Sequence, residues 1–97
     1  VQDFPFPNNS HDLTGQVALV TGATSGLGWH FSRVLAAAGA KVAIAGRRKE
    51  RLVELQTLII EEGGECAFFV LDMTDADAIV AVVAEVEQSL GMITILV

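Results

Sequence analysis

Apolar and polar positions along this chain follow two alternating patterns. Short apolar runs at about 17–21, 41–45, 66–71 and 93–97 have the length of strands buried on both faces. Between them, apolar residues recur at helical spacing: Leu27, Phe31, Val34, Leu35 and Ala38, then Leu52, Leu55 and Ile59, then Ile79, Val82, Val83, Val86 and Leu90. Those stripes predict three amphipathic helices. Gly39, the Gly63-Gly64 pair and Gly91 stand where the three should stop. Thr74 reads as the N-cap of the third helix, with Asp77 completing the Asp version of a capping box. Residues 1–15, with two prolines and Asn8-Asn9-Ser10, have no apolar period and read as a lead-in tail.

Strand alternating with helix through short connections gives repeated βαβ units, and right-handed crossovers make the sheet parallel. The expected fold class is α/β: a doubly wound parallel sheet with strand order 3-2-1-4. Its ligand site should lie beyond the C-terminal ends of strands one and four, where the order reverses.

Composition narrows the function. Apolar residues make up 52% of the 97 positions and mean hydropathy is +0.50, yet no apolar run is long enough to cross a bilayer. The net charge of −6 argues against nucleic-acid binding. Against that acidic background Arg47, Arg48, Lys49 and Arg51 form an isolated basic cluster. A single cysteine, Cys66, excludes an internal disulfide and leaves no metal-site spacing; its apolar neighbours make it a buried, inert strand residue. The N-terminal segment has neither a basic start nor an apolar signal core, which points to the cytoplasm. The first residue is Val1 rather than methionine, so chain upstream of it is expected.

The stretch Val-Ala-Leu-Val-Thr-Gly-Ala-Thr-Ser-Gly-Leu-Gly at 17–28 carries the chemistry. A buried strand runs into a glycine turn and then a helix N-terminus, whose free N–H groups and positive dipole end attract phosphate. An ATP/GTP loop would need Lys and then Ser or Thr after its last glycine, but Gly28 is followed by Trp29 and His30. The G-x-G-x-x-G fingerprint is not matched either. What does match is T-G-x-x-x-G-x-G, at Thr21, Gly22, Gly26 and Gly28. This resembles the short-chain dehydrogenase/reductase family, in the branch with that spacing. The resemblance runs from about Asp12 to Val97. It takes in Leu13-Thr14-Gly15-Gln16, Leu71-Asp72-Met73 and the segment Gly91-Met92-Ile93-Thr94-Ile95-Leu96-Val97. Thr94 departs from the family pattern, which usually has Asp there.

The resemblance implies a Rossmann-type fold and a nicotinamide dinucleotide cofactor. It implies that Gly22 makes the tight turn and that Ser25 and the Leu27 backbone hold the phosphate and ribose side. Gly28 would let the helix pack on the strand. Thr24 and Gly26 complete the cofactor-binding loop. Asp72 would accept from the adenine amino group, with the Met73 backbone beside it. At the end of strand two an NAD site places a carboxylate on the ribose 2′-hydroxyl, whereas an NADP site supplies a cation. Here Gly46 and Arg47 occupy that place, with Arg48 as a second charge, so the expected cofactor is NADP(H). Trp29 and His30 read as surface or packing residues, and His11 carries no signal.

Family chemistry needs a Ser and a Tyr-x-x-x-Lys set, and this sequence has no tyrosine. No catalytic residue is therefore assigned. The expectation is the N-terminal, NADP-binding part of an oxidoreductase acting on a small alcohol or carbonyl substrate. It covers 16–97, is incomplete at its C-terminus and inactive alone, and belongs to a homo-oligomer. The alternative is a non-catalytic nucleotide-binding or self-associating α/β module.

Overall fold

A computed structural model describes residues 12–97; the expectations for the first part of the tail, His11 included, lie outside the described residues. The elements are β1 (Val17–Thr21), α1 (Gly26–Ala37), β2 (Lys41–Gly46), α2 (Lys49–Glu61), β3 (Glu65–Val70), α3 (Ala76–Ser89) and β4 (Ile95–Leu96). The sheet order is β3-β2-β1-β4, with every pairing parallel. This is the doubly wound arrangement the pattern of strands and helices requires.

Side chains of β1 and β2 alternate between two cores, one on each face of the sheet. Val20, Val42 and Ile44 meet Ala36 of α1 and Leu52, Leu55 and Ile59 of α2 on one side. Val17, Leu19, Ala43 and Ala45 meet Val82 and Val86 of α3 on the other. Both strands are thus covered on both faces, which is why they read as unbroken apolar runs. Each large aliphatic side chain so buried contributes about 1.5–3 kcal/mol.

The structure corrects several readings of the sequence. The buried face of α1 is Gly28, Ser32 and Ala36; of the expected stripe, Leu35 packs partly against the core, whereas Leu27, Phe31 and Val34 are exposed. Leu27 is 66% exposed and Val34 49%. Small residues win because α1 lies very close to its neighbours: a Cβ on Gly64 would sit 3.0 Å from the Ala36 Cβ, leaving no room there for a larger side chain. Ser32 is fully buried, and its hydroxyl donates to the Gly28 carbonyl at 2.8 Å, so burial leaves no unpaired polar group.

The third helix is capped by Asp75, whose carboxylate accepts from the Ala78 N–H at 3.1 Å, and not by Thr74. Thr74 is engaged elsewhere, in a turn closed by Asp72. The fourth strand is shorter than expected, pairing as Ile95–Leu96, although bonds from the Thr94 N–H to the Val17 carbonyl and from the Val97 N–H to the Leu19 carbonyl extend the alignment on both sides. The described part of the tail is tied down: the Leu13 N–H donates to the Ala38 carbonyl at 2.7 Å and Leu13 packs on the α1/α2 core. Strand two runs one residue further, through Gly46, and strand three is shifted one residue earlier, to Glu65–Val70.

Candidate functional site

The strands β1, β2 and β3 end along one edge of the sheet, and the residues singled out in the sequence all follow those ends. After β1, Gly22 adopts φ +64, a conformation that L side chains rarely take. The Ala23 N–H donates to the Ala45 carbonyl at 3.2 Å, tying the turn to the end of β2. Ser25 is the N-cap of α1: its Oγ accepts from the Gly28 N–H at 3.2 Å and donates to the Gly22 carbonyl at 2.8 Å. Among the described residues the N–H groups of Gly26 and Leu27 have no acceptor. A Cβ on Gly22 or on Gly26 would meet no atom within 4 Å. The turn therefore presents two free donors at a helix N-terminus to open space.

Gly28 has the opposite environment. A Cβ there would overlap the Gly22 carbonyl oxygen and lie 3.0 Å from the Ala23 Cα. Its missing side chain is what allows α1 to start directly against the end of β1. The three glycines thus act differently: one for backbone conformation, one for open space, one for close packing.

The second part of the edge follows β2. Gly46 is buried, and a Cβ on it would sit 3.4 Å from the Thr24 Cγ2, so Thr24 packs across from the glycine turn onto the end of β2. Arg47 and Arg48 follow, both exposed; Arg48 is the N-cap of α2 and makes no side-chain capping bond. Gly46, Arg47 and Arg48, the residues at this strand end, include no carboxylate.

The third part follows β3. The Leu71 N–H donates to the Gly46 carbonyl at 2.7 Å, which carries Asp72 to the neighbourhood of Arg47. Asp72 Oδ1 accepts from the Thr74 N–H at 2.9 Å and from its hydroxyl at 2.7 Å. Those two bonds, with a further contribution from the Arg47 guanidinium, hold the Asp72 carboxyl below the usual carboxylate range. Asp72 Oδ2 accepts no hydrogen bond among the described residues. Met73 is exposed beside it.

Sequence reasoning missed the part played by Thr74, for which the Asp-x-Thr spacing at 72–74 is the available signal. It also missed Thr94, whose hydroxyl accepts from the Val17 N–H at 3.2 Å and so satisfies the first donor of β1. Trp29 packs partly buried against the α1/α2 core, with the Arg51 guanidinium 4.2 Å over its ring. A shallow groove along α1, lined by His30, Arg33, Val34, Ala37 and Glu62, lies away from the strand ends and holds only the exposed Arg33–Glu62 ion pair.

Known proteins share this fold and part of this sequence. Gluconate 5-dehydrogenase of Gluconobacter oxydans is 41% identical over 85 residues, 88% of this chain and 33% of that enzyme. A metagenomic short-chain oxidoreductase solved in complex with NADP is 37% identical with a TM-score of 0.83, over 87% of this chain and 38% of that one. A hydroxysteroid dehydrogenase from Escherichia coli reaches a TM-score of 0.88 at 26% identity, over 93% of this chain and 38% of that one. The chain thus spans about a third of the length of these proteins. Residues 16–97 match the short chain dehydrogenase family throughout, and the chain belongs to that family of oxidoreductases.

Proposed function

We propose that residues 16–97 are the NADP(H)-binding part of a short-chain oxidoreductase acting on a small alcohol or carbonyl compound. The observation that carries this reading is the pairing of the open glycine turn with Arg47 at the next strand end, where Gly46-Arg47-Arg48 supplies cations and no carboxylate of its own. A dinucleotide fits these residues. The free N–H groups of Gly26 and Leu27, the Ser25 hydroxyl and the α1 dipole suit a pyrophosphate. Arg47 and Arg48 suit a ribose 2′-phosphate, because a guanidinium can donate two parallel bonds to it. Asp72 has a free carboxylate oxygen for an exocyclic amino group, with the Met73 backbone beside it.

The bound nicotinamide would supply a hydride carrier. The residues of this chain bind and orient it; they supply no acid or base for the carbonyl. That work falls to a Ser, Tyr and Lys set carried by chain outside these 97 residues.

Titration of the native protein with NADPH and with NADH, followed by cofactor fluorescence, should give clearly tighter binding for NADPH. Equal affinities would overturn the assignment of the 2′-phosphate to Arg47.

A further inference from the structure

Arg51 differs from the other members of the basic cluster. Arg47, Arg48 and Lys49 are exposed, whereas Arg51 is partly buried and engaged on two sides. Its guanidinium lies 4.2 Å over the Trp29 ring, and its Nη1 donates to Glu54 Oε1 at 2.8 Å. Trp29 belongs to the first turn of α1, directly after the glycine turn, and Arg51 to the first turn of α2, directly after the Arg47–Arg48 segment. The contact therefore joins the two helix starts that follow the two loops of the site.

We infer that the Trp29–Arg51 stack is a clamp that fixes the span between the glycine turn and the Arg47–Arg48 segment, making Trp29 and Arg51 positioning residues for recognition of the 2′-phosphate. The inference rests on the NADP(H) reading above. On that reading one ligand touches both loops, so the span between them sets how well both of its phosphate groups are met at once. At the strand ends, the Ala23 N–H to Ala45 carbonyl bond and the Thr24 contact with Gly46 hold the loops together. At the helix starts the clamp does so, and the Arg51 N–H donates to the Arg48 carbonyl at 3.1 Å, which links the clamp to the Arg47–Arg48 segment. Glu54 draws the Arg51 charge toward its own side, so Arg51 acts by holding α2 in place rather than by meeting the ligand.

A general loss of structure would weaken NADPH and NADH binding alike, whereas loosening the clamp should weaken NADPH selectively, because Arg47 and Arg48 meet only the 2′-phosphate. Trp29→Leu keeps the charge and much of the apolar bulk and removes the aromatic face. In the native protein it should lower the ratio of NADPH to NADH affinity about two- to fivefold, the range of a partly exposed cation–π contact. Trp29→Phe should restore most of that ratio. Arg51→Met provides a second route that leaves the indole in place, and the double variant should be no worse than the poorer single one. With these variants titration is read by cofactor fluorescence, and a thermal melt reports folding. An unchanged ratio in Trp29→Leu, a parallel loss for both cofactors, or additive effects in the double variant would overturn the clamp. Equal binding of both cofactors by the unmodified protein would instead overturn the NADP(H) reading beneath it.

Discussion

Gly28 faces the carbonyl oxygen of Gly22 so closely that no side-chain carbon can stand between them. The helix that offers free N–H groups to the site starts at this contact. Gly26, two residues earlier, faces open space at an ordinary backbone angle. The two glycines should therefore respond oppositely to one methyl group. Gly28→Ala should cost about 1–3 kcal/mol of stability by overpacking. Gly26→Ala should leave the melting temperature unchanged or slightly raised, since Ala is the better helix former, yet weaken dinucleotide binding by filling the space above the turn. Thermal melts and cofactor titrations on both variants would test this. A Gly26→Ala protein that binds NADPH normally would show that the turn is not the cradle.

The Arg47 guanidinium is near enough to Asp72 to help lower the pKa of its carboxyl. Arg47→Gln should remove a charge-assisted contact worth about 1.5–3 kcal/mol and with it most of the preference for NADPH. Arg47→Asp should go further, because the new carboxylate would also face Asp72. Affinity for NADH should be nearly unchanged in Arg47→Gln. Titration with both cofactors distinguishes this from a general loss of binding.

Topology was legible in the sequence because it follows from coarse features: strand-length apolar runs, helical stripes between them and the handedness of crossovers. The glycine turn was legible because its three glycines have separate physical reasons that spacing preserves. The buried face of α1 was not. Hydropathy ranks Leu27, Phe31 and Val34 above Gly28, Ser32 and Ala36, but contact with the sheet selects for size, and the small set lies inside. The Ser32 hydroxyl is hidden from any hydropathy count because its partner is its own helix, the Gly28 carbonyl. The cap of α3 was missed for a related reason. Thr74 and Asp75 are both good caps in isolation, and Asp72 decides between them by taking the Thr74 N–H and hydroxyl. Side-chain bonds to neighbouring backbone compete with one another, and single-residue preferences do not rank them.

Cys66 sits half-buried on β3, and burial pushes its thiol up to about 12, since a thiolate there would lose its hydration. At pH 8 the folded protein should therefore resist alkylation by iodoacetamide, and unfolding should expose a readily modified thiol. The shift also has a stability sign. The folded state keeps the proton that the unfolded chain releases near its ordinary value of about 9.0, so this contribution is intact below that pH and is lost as pH rises toward about 12. Cys66→Ala should flatten the alkaline part of the stability profile. Rapid labelling of the native protein at pH 8 would contradict the inert reading.

The 97-residue chain produced by itself should self-associate and should not transfer hydride. Within the described residues β4 pairs only with β1, so its other edge carries unpaired backbone groups. Around that edge the apolar side chains lie open: Met92 is 75% exposed and Leu96 72%. The stripe of α1 that hydropathy had assigned to the core, Leu27, Phe31 and Val34, adds a second exposed apolar surface. Both surfaces favour association with other chains. The chemistry points the same way: a proton donor for the carbonyl is needed, and the sequence contains no tyrosine. Sedimentation should show species larger than a monomer, and charged substitutions at Leu96 and Phe31 should shift the distribution toward the monomer. A reductase assay with simple carbonyl compounds should show no oxidation of NADPH above background. A monodisperse monomer that turned over NADPH would require both a covered β4 edge and a proton donor among the residues of this chain, contrary to the exposure of Leu96 and to the absence of tyrosine.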